Sequence, residues 1–398
     1  MFSKNRYFKR LLSIGLILLF AACNSIPLPE VEPVSESISE TTESEIEKDS
    51  DAGQKSISFI AGQDMKSRRD RFGLLVLSDG KLIASGGRFE AEHYGGGDFN
   101  KTAEVFDPNI GEWVFTGEMT EGRLTPALFE LPNGNVMVAG GLSGQRDPLI
   151  STEIWDPKIG IWESGPEMNR AHNQMGTVTL NDGRLLVVGG ATKDEDGFQV
   201  SLSKETEIFD LESGTWTDVA PMATKRANHS ALVLLNGNVL VIGGGKQDGP
   251  YFKTTEIYDP ETDTWKSGAS MSKGRVAHTA TLLSDGKVLV VGGKGKITVA
   301  EIYNPDTDTW SPAGETNKPR GEHSALLLTD GSVLVTGGIG YISEVEIFDP
   351  KTSTWSIVGS LNTGRYRHAV TQLNDGRVLI MAGTAEEGML ATVEIYQD

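Results

Sequence analysis

The apolar residues from position 56 onward fall into short β-branched runs bounded by small and polar residues. The Val-Leu-Val-Ile run at 239–242, for example, follows an Asn-Gly turn and ends at a pair of glycines. These runs are short and show no helical period, so they predict strands. The same succession returns every 45 to 54 residues, seven times in all. Such self-similarity predicts one structural unit per repeat.

Each repeat has the same parts in the same order. A turn rich in Asn, Asp and Gly comes first, as β-hairpins favour. The glycine pair follows, and after a loop comes a strand of the pattern Glu-apolar-aromatic. The glutamates of these strands are Glu104, Glu153, Glu207, Glu256, Glu301, Glu346 and Glu394. Six of the strands lead through a further turn to Trp113, Trp162, Trp216, Trp265, Trp310 or Trp355. Four short strands in about 50 residues describe one blade of a β-propeller.

The glycine pair, the aromatic strand and the Trp together resemble the kelch repeat. The resemblance covers residues 56–398 and implies an all-β, seven-bladed β-propeller. The last repeat stops after its third strand, and counting back from Met65 places Phe59 where Trp265 stands. We therefore expect residues 57–62 to complete the last blade and so to close the ring, which would satisfy two otherwise open edges.

The first 22 residues have the form of a secretory signal. Four basic residues precede an apolar stretch that is too short for a permanent membrane span. Phe-Ala-Ala-Cys at 20–23 resembles the bacterial lipobox, and Cys23 is the only cysteine of the chain. We expect lipidation of Cys23 and a membrane-anchored lipoprotein outside the cytoplasm, in the cell envelope at the outer membrane or cell surface. Ordinary signal cleavage that leaves a thiol at Cys23 is the alternative.

Residues 23–55 have the composition of an acidic, disordered tether. They are rich in Ser, Thr, Pro and Glu and contain no aromatic residue. The formal charge of the chain is −19, and loss of the four basic signal residues would make it −23. This charge argues against nucleic acid as a partner. The expected organisation is thus a signal at 1–22, a tether at 23–55 and a propeller at 56–398, and we expect a monomer.

A cationic ring is the first candidate binding site. Eleven residues before each turn glycine stands Arg69, Arg123, His172, Arg226, Arg275, Arg320 or Arg365. These positions, which we call the inner ring, precede the innermost strands and so surround the channel. The resemblance implies that this segment lines the mouth in kelch domains that bind peptides. Guanidinium groups around one opening would attract an anion. The alternative is that each cation pairs with the repeated Glu of its blade and belongs to the scaffold.

Long loops on the same face form the second candidate. Loops of rigid scaffolds commonly carry binding residues, and candidate contacts here are His93, Tyr94, Asp98 and Tyr251. The Asp-Glu-Asp-Gly run at 194–197 could hold Ca²⁺ but lacks a full ligand set. His229, His278, His323 and His368 each follow an inner-ring Arg by three residues. Their repetition favours a structural role over a metal site, so we expect neither metal nor cofactor.

Two functional hypotheses remain open. The first is a binding or scaffolding module for an anionic or polar segment of a protein or glycan. The second is a carbohydrate-acting enzyme of mutarotase or lyase type, which kelch propellers occasionally are. A galactose-oxidase-like radical chemistry needs a Cys–Tyr crosslink, and residues 24–398 contain no cysteine. No general acid or base can be assigned from the sequence, so the binding module is the leading hypothesis.

Overall fold

The computed structural model describes residues 58–89, 99–193, 200–246 and 249–396. All of them belong to Gly53–Asp398, one of the two units into which the chain divides. Every regular element in these ranges is a strand, and the strands form seven four-stranded sheets and one two-stranded ribbon. The described ranges hold no helix capable of crossing a membrane. The expected all-β propeller with seven blades is confirmed.

Each four-stranded sheet is one antiparallel blade. From the channel outward, blade 1 contains Gly73–Val76, Leu82–Ser85, Ala103–Asp107 and Glu112–Phe115. Blade 2 contains Ala127–Glu130, Val136–Ala139, Thr152–Asp156 and Ile161–Ser164, and blade 3 contains Gly176–Thr179, Leu185–Lys193, Val200–Asp210 and Thr215–Val219. Blade 4 contains Ser230–Val233, Val239–Ile242, Thr255–Asp259 and Thr264–Gly268.

The last three blades follow the same order. Blade 5 contains Thr279–Leu282, Val288–Val291, Val299–Asn304 and Thr309–Glu315, and blade 6 contains Ser324–Leu327, Val333–Thr336, Glu344–Asp349 and Thr354–Ser360. Blade 7 contains Ala369–Gln372, Val378–Met381, Val393–Tyr396 and, from the other end of the chain, Ile60–Ala61. The ribbon consists of Thr384–Ala385 and Gly388–Met389 in the loop of blade 7.

The second strand of each blade is apolar on both faces because both faces pack against neighbouring blades. In blade 4, Leu240 and Ile242 pack with Val288 of blade 5. Val239 and Val241, which point the other way, pack with blade 3. Side chains alternate between the two faces of a strand, so a continuous β-branched run fills two interfaces at once. This explains the short apolar runs that mark the repeat.

In blades 3 to 6, the repeated Trp joins each blade to the one before it. In blade 4, the rings of Tyr258 and Trp265 lie 4.9 Å apart between centroids. Nε1 of Trp265 donates a hydrogen bond to the carbonyl of Ala220 in blade 3, at 2.7 Å. The aromatic pair therefore fixes the outermost strand to its own blade and also to its neighbour.

The N-terminal strand closes the ring, as the repeat count predicted. Ile60 pairs with Ile395 in antiparallel register. The buried ring of Phe59 lies 6.0 Å from that of Tyr396 between centroids, in the arrangement that Trp has in the other blades. The strand covers only Ile60–Ala61, which is shorter than the expected 57–62. The signal, Cys23 and the whole predicted tether at 23–55 lie outside the described residues.

Candidate functional site at the channel mouth

A buried unit of Arg, Glu and a glycine carbonyl recurs through the propeller. In blade 4, Arg226 Nη2 donates to Glu256 Oε1 at 2.7 Å, and Nη1 donates to the Gly243 carbonyl at 2.6 Å. The same carboxylate accepts a hydrogen bond from the backbone N–H of Ala223 at 2.6 Å. The unit thus ties the segment before the innermost strand to the second and third strands.

The same bonding recurs in the other blades. The N–O distance is 2.6 to 3.1 Å in Arg69–Glu104, Arg123–Glu153, Arg275–Glu301, Arg320–Glu346 and Arg365–Glu394. In blade 3, His172 takes the place of Arg, with Nε2 at 3.0 Å from Glu207 and Nδ1 at 2.6 Å from the Gly189 carbonyl.

The inner ring therefore lies within the framework of the blades. All seven of its residues are 0 % exposed. Burial lowers the pKa of Arg69, while the charge and hydrogen bond of Glu104 oppose that shift. The sequence left two alternatives for the inner ring: an anion-binding site, or cations that pair with the repeated Glu of each blade. The bonding agrees with the second, because a ligand in the channel would not reach these buried groups in this conformation.

The side chains that line the channel stand two positions further along the chain. They are Arg71, Thr125, Gln174, Asn228, Ala277, Glu322 and Arg367, which we call the mouth ring. All seven have left-handed backbone with φ between 51° and 56°. Sequence reasoning missed them, although a signal exists: these positions differ from blade to blade, whereas the inner ring is nearly constant.

Backbone hydrogen bonds link much of the mouth ring into a girdle. The N–H of one member donates to the carbonyl of the member in the preceding blade. The bonds run from Thr125 to Arg71 (2.8 Å), Asn228 to Gln174 (3.0 Å), Ala277 to Asn228 (3.4 Å), Glu322 to Ala277 (3.0 Å) and Arg367 to Glu322 (2.9 Å). The main chain thus fixes these positions whichever side chains they carry.

The mouth ring carries side chains at an energetic cost. A left-handed conformation costs a residue other than glycine about 1–3 kcal/mol, and glycine adopts it readily. The chain has 47 glycines, yet none stands at these seven positions. Conformational strain of this kind clusters at functional sites. The mouth ring is therefore a candidate site for ligand contact.

The mouth ring surrounds a cavity of about 270 Å³. The other residues that line it are Phe72, Val276, Lys294, His323, His368 and Ala369. A second, shallower cavity adjoins it at Arg71. Three cationic side chains and one carboxylate line the main cavity, so this opening is cationic in a chain whose net charge is −19.

Glu322 lies between two arginines of the mouth ring. It accepts a short hydrogen bond from Arg367 and lies 3.7 Å from the Arg71 guanidinium. Among the described residues, Arg71 has no closer charged partner and its guanidinium makes no hydrogen bond, although it is only 25 % exposed. Burial, and next the charge of Arg367, lower the pKa of Arg71, which Glu322 only partly opposes. An anion in the cavity would compensate this charge.

A buried carboxylate beneath Arg367 joins the last blade to the first. Asp70 is fully buried and accepts hydrogen bonds from Arg88 Nε at 3.0 Å and from Thr384 Oγ1 at 2.7 Å. It also lies 3.7 Å from Arg367. Asp70 has no counterpart in the other blades, and its position sets the arginines at this side of the mouth.

The rest of the mouth carries amides and aromatic rings. Asn228 Nδ2 donates to Gln174 Oε1 at 3.0 Å. The Arg367 guanidinium lies 4.8 Å from the centroid of Tyr366, which contacts Tyr341 at 5.7 Å between centroids. Lys294 has no ion-pair partner within the described ranges. The site can therefore offer cations and amide groups to one ligand.

The predicted loop contacts are only partly described. His93, Tyr94, Asp98 and the run at 194–197 lie outside the described residues. Tyr251 is half-buried and bridges to Gly245 in the loop of blade 4. Tyr251 does not line the mouth cavity.

The four repeated histidines fill gaps between blades. Each imidazole lies against the first glycine of the preceding blade's pair, where a Cβ would come within 2.5 to 3.2 Å of it; the pairs are His229–Gly189, His278–Gly243, His323–Gly292 and His368–Gly337. Burial, followed by the nearby inner-ring Arg, lowers the pKa of His229, His278 and His323 to about 3. In the part of the chain that the structure describes, no group of His, Cys, Asp and Glu is placed to hold a metal ion.

Comparisons with known proteins agree with this architecture. The family model described as "KLHDC2/KLHL20/DRC7 Kelch-repeats domain" matches residues 74–293 and 175–383. No curated protein matches the chain significantly. A solved structure titled "Novel fungal alcohol oxidase with catalytic diversity among the AA5 family, in complex with copper" is similar, with a TM-score of 0.68 at 17 % identity. The alignment covers 86 % of this chain and 76 % of that one, and at this identity it shows a shared fold alone.

Proposed function

Because this chain belongs to the kelch-repeat family, whose propellers generally mediate protein binding, we propose that it binds an anionic segment of a protein or glycan at the mouth ring. The observation that carries the proposal is Arg71. Its guanidinium is three-quarters buried in the channel wall, with one ion pair at 3.7 Å as its compensation among the described residues. A desolvated cation of this kind gains most from an anionic ligand.

The cavity size limits what can enter. Small-molecule pockets commonly enclose about 300–1,000 Å³, and the mouth cavity is slightly smaller than this range, with about 270 Å³. One acidic residue or one sugar ring would occupy it, while the rest of the segment would lie on the surrounding loops. The amides of Gln174 and Asn228 would then hydrogen-bond the polar groups next to the anion.

A binding array tests the proposal. The full chain is applied to anionic peptides and acidic glycans, with their neutral counterparts beside them. Arg71→Ala and Lys294→Ala should each lower affinity for the anionic ligands by about tenfold or more. Arg184→Ala, which removes a cation that pairs with Asp182 in a turn of blade 3, is the matched control and should bind normally. Equal binding by all four proteins would contradict the proposal.

Glu322 supports a second candidate function, a sugar mutarotase. It is a carboxylate without counterparts in the other blades, it lines the cavity, and it is flanked by arginines. Such a carboxylate could act as a base on a bound acidic sugar. Nuclear magnetic resonance would follow the exchange of anomers with the full chain and with Glu322→Gln. Acceleration that the variant loses would favour the enzyme, and ligand binding without acceleration would favour the binding module.

We further propose that the propeller is held at a membrane outside the cytoplasm through lipidated Cys23. The supporting observation is the basic and apolar start of the chain, which ends at its only cysteine. Mass spectrometry of the mature N-terminus should find acyl chains on Cys23. Cys23→Ser should release the protein from the membrane fraction, whereas retention there would argue against the anchor.

A further inference from the structure

The outer edge of blades 1 and 2 exposes large apolar side chains where blades 3 and 4 have polar ones. These side chains are Ile110 (65 % exposed), Val114 (52 %), Phe115 (50 %), Ile159 (63 %) and Ile161 (51 %). We call this surface the apolar edge. At the positions of Ile159 and Ile161, blades 3 to 6 carry Ser or Thr. Isolated exposed apolar residues are ordinary, but a cluster of them marks an interaction site.

The two segments that carry the apolar edge meet where blade 1 contacts blade 2. Thr116 and Gly117, which follow Phe115, both bond to the carbonyl of Gly160, between Ile159 and Ile161. The distances are 3.1 Å from Thr116 Oγ1 and 2.8 Å from the Gly117 N–H. A Cβ on Gly117 would lie 2.4 Å from the Gly160 oxygen. The end of blade 1 is thus pressed against the turn of blade 2.

The propeller itself does not require these apolar residues. In blade 5, the equivalent contact is made by Asp308, whose carboxylate accepts the N–H of Ala269 at 2.8 Å. Threonines flank that aspartate and bond to each other at 2.8 Å. The interblade bond forms there with polar neighbours, so Ile159 and Ile161 contribute nothing that threonines could not.

The strand at the apolar edge has backbone groups available for pairing. Glu112–Phe115 is the outermost strand of blade 1, and among the described residues its one strand partner is Ala103–Asp107. Because the N–H of Thr116 bonds inward to Ala103, the alternation of an antiparallel ladder turns the N–H and C=O of Phe115, which is 50 % exposed, outward. An added strand could bond to them, as in strand addition to an exposed sheet edge.

The charges around the apolar edge indicate which charge a bound partner strand should carry. Its exposed charged neighbours along the chain are Glu112, Glu118, Glu163, Glu167 and one cation, Lys158. This surplus of carboxylates disfavours an anionic lipid surface, and it disfavours a second copy of the same surface. We propose that the apolar edge binds an extended segment of a partner protein in which apolar and basic residues alternate.

Three synthetic peptides of ten residues test this proposal with the full chain. One alternates Val and Lys, one alternates Val and Glu, and one carries the Val-Lys composition interrupted by Pro. Fluorescence anisotropy should show binding of the Val-Lys peptide alone. Val114→Thr with Phe115→Ser should weaken it about tenfold or more. Leu235→Thr, which removes a side chain that is 70 % exposed in blade 4, should leave it unchanged.

Other outcomes overturn the proposal. They are binding of the Val-Glu peptide with equal affinity, equal binding of the Val-Lys peptide by wild type and the double variant, and no binding at all. Should the double variant fail to fold, Ile161→Thr replaces it, since this residue is in an exposed position where other blades hold Thr. Sedimentation that shows a dimer lost in the variant would assign the edge to a second copy. Flotation with zwitterionic vesicles, lost in the variant, would assign it to lipid.

Discussion

Arg320 donates two hydrogen bonds to one oxygen of Glu346, from Nε at 2.9 Å and from Nη2 at 2.7 Å, and solvent reaches neither side chain appreciably. A third bond, from Nη1 to the carbonyl of Gly337 at 2.6 Å, joins the pair to the glycine turn. Buried ion pairs with this geometry hold chain segments in place, and removal of one partner leaves a charge without compensation.

Arg320→Met should therefore destabilise the propeller by about 3–5 kcal/mol. The double substitution Arg320→Met with Glu346→Leu should recover part of that loss, because no uncompensated carboxylate remains. Urea unfolding followed by tryptophan fluorescence measures both. A double variant no more stable than Arg320→Met would show that the buried charge is not the cause.

Replacement of Arg69 by alanine should mainly lower stability, whereas replacement of Arg71 by alanine should mainly lower affinity for anions. Arg69 is buried and bonded to Glu104 at 2.6 Å, so its loss should cost about 3–5 kcal/mol of folding free energy. Arg71 has a weak ion pair at 3.7 Å, so its loss should cost less than about 1 kcal/mol while it impairs anion binding. Thermal melting and the binding array, run on both variants, separate the two roles.

Stability should fall between pH 7 and pH 5 in part because of the interblade histidines. Burial and Arg275 lower the pKa of His278 to about 3 in the folded chain, whereas an unfolded histidine titrates near pH 6.5. The unfolded state therefore takes up the proton first. This contribution is complete above about pH 6.5 and is lost as the pH falls toward 3, by up to about 1.4 kcal/mol per pH unit for each histidine.

His278→Met tests this dependence, because Met175 occupies the same position in blade 3. Between pH 7 and pH 5, the unfolding free energy of the variant should depend less steeply on pH. The difference in slope should correspond to about one proton fewer taken up on unfolding. Urea unfolding at pH 5, 6 and 7 provides the measurement. An unchanged slope would mean that His278 is not the titrating group.

Phe59→Ala should open the ring at blade 7. The side chain is 8 % exposed and packs on Tyr396, and loss of a buried Phe costs about 3–5 kcal/mol. Phe59→Trp should be tolerated, since Trp holds this position in the other six blades. Melting temperatures of both variants provide the measurement. Equal destabilisation by Trp and Ala would contradict the role of Phe59 as the aromatic residue that closes blade 7.

The repeat predicted the fold because every copy contains the same turn, glycine and strand positions in the same order. Six glycine pairs with Ala382-Gly383 as the seventh copy, seven Glu-apolar-aromatic strands and the displaced Phe59 left one arrangement that satisfied all edges. The repeat did not predict the residues that line the channel mouth. The arginines of the inner ring repeat because Glu104 and its counterparts repeat with them, and a pattern of residue types does not show whether a guanidinium faces solvent or its own blade.

The mouth ring could have been predicted from the positions at which the residue type differs between blades. Two positions past each inner-ring residue, the blades carry Arg, Thr, Gln, Asn, Ala, Glu and Arg. That the backbone there is left-handed depends on turns between blades that composition does not encode. The pairing of Glu322 with Arg71 depends on three-dimensional proximity across the channel wall, since the two residues are far apart in sequence.

The girdle at the channel mouth has a consequence for how such a protein can change. Its hydrogen bonds run through the main chain, so exchange of a side chain at one of the seven positions leaves these bonds in place. Gene duplication of blades, followed by drift at these seven codons alone, would yield new specificities on an unaltered frame. A library randomised at these codons would be correspondingly rich in folded members, and selection from it could redirect the propeller to ligands of another charge.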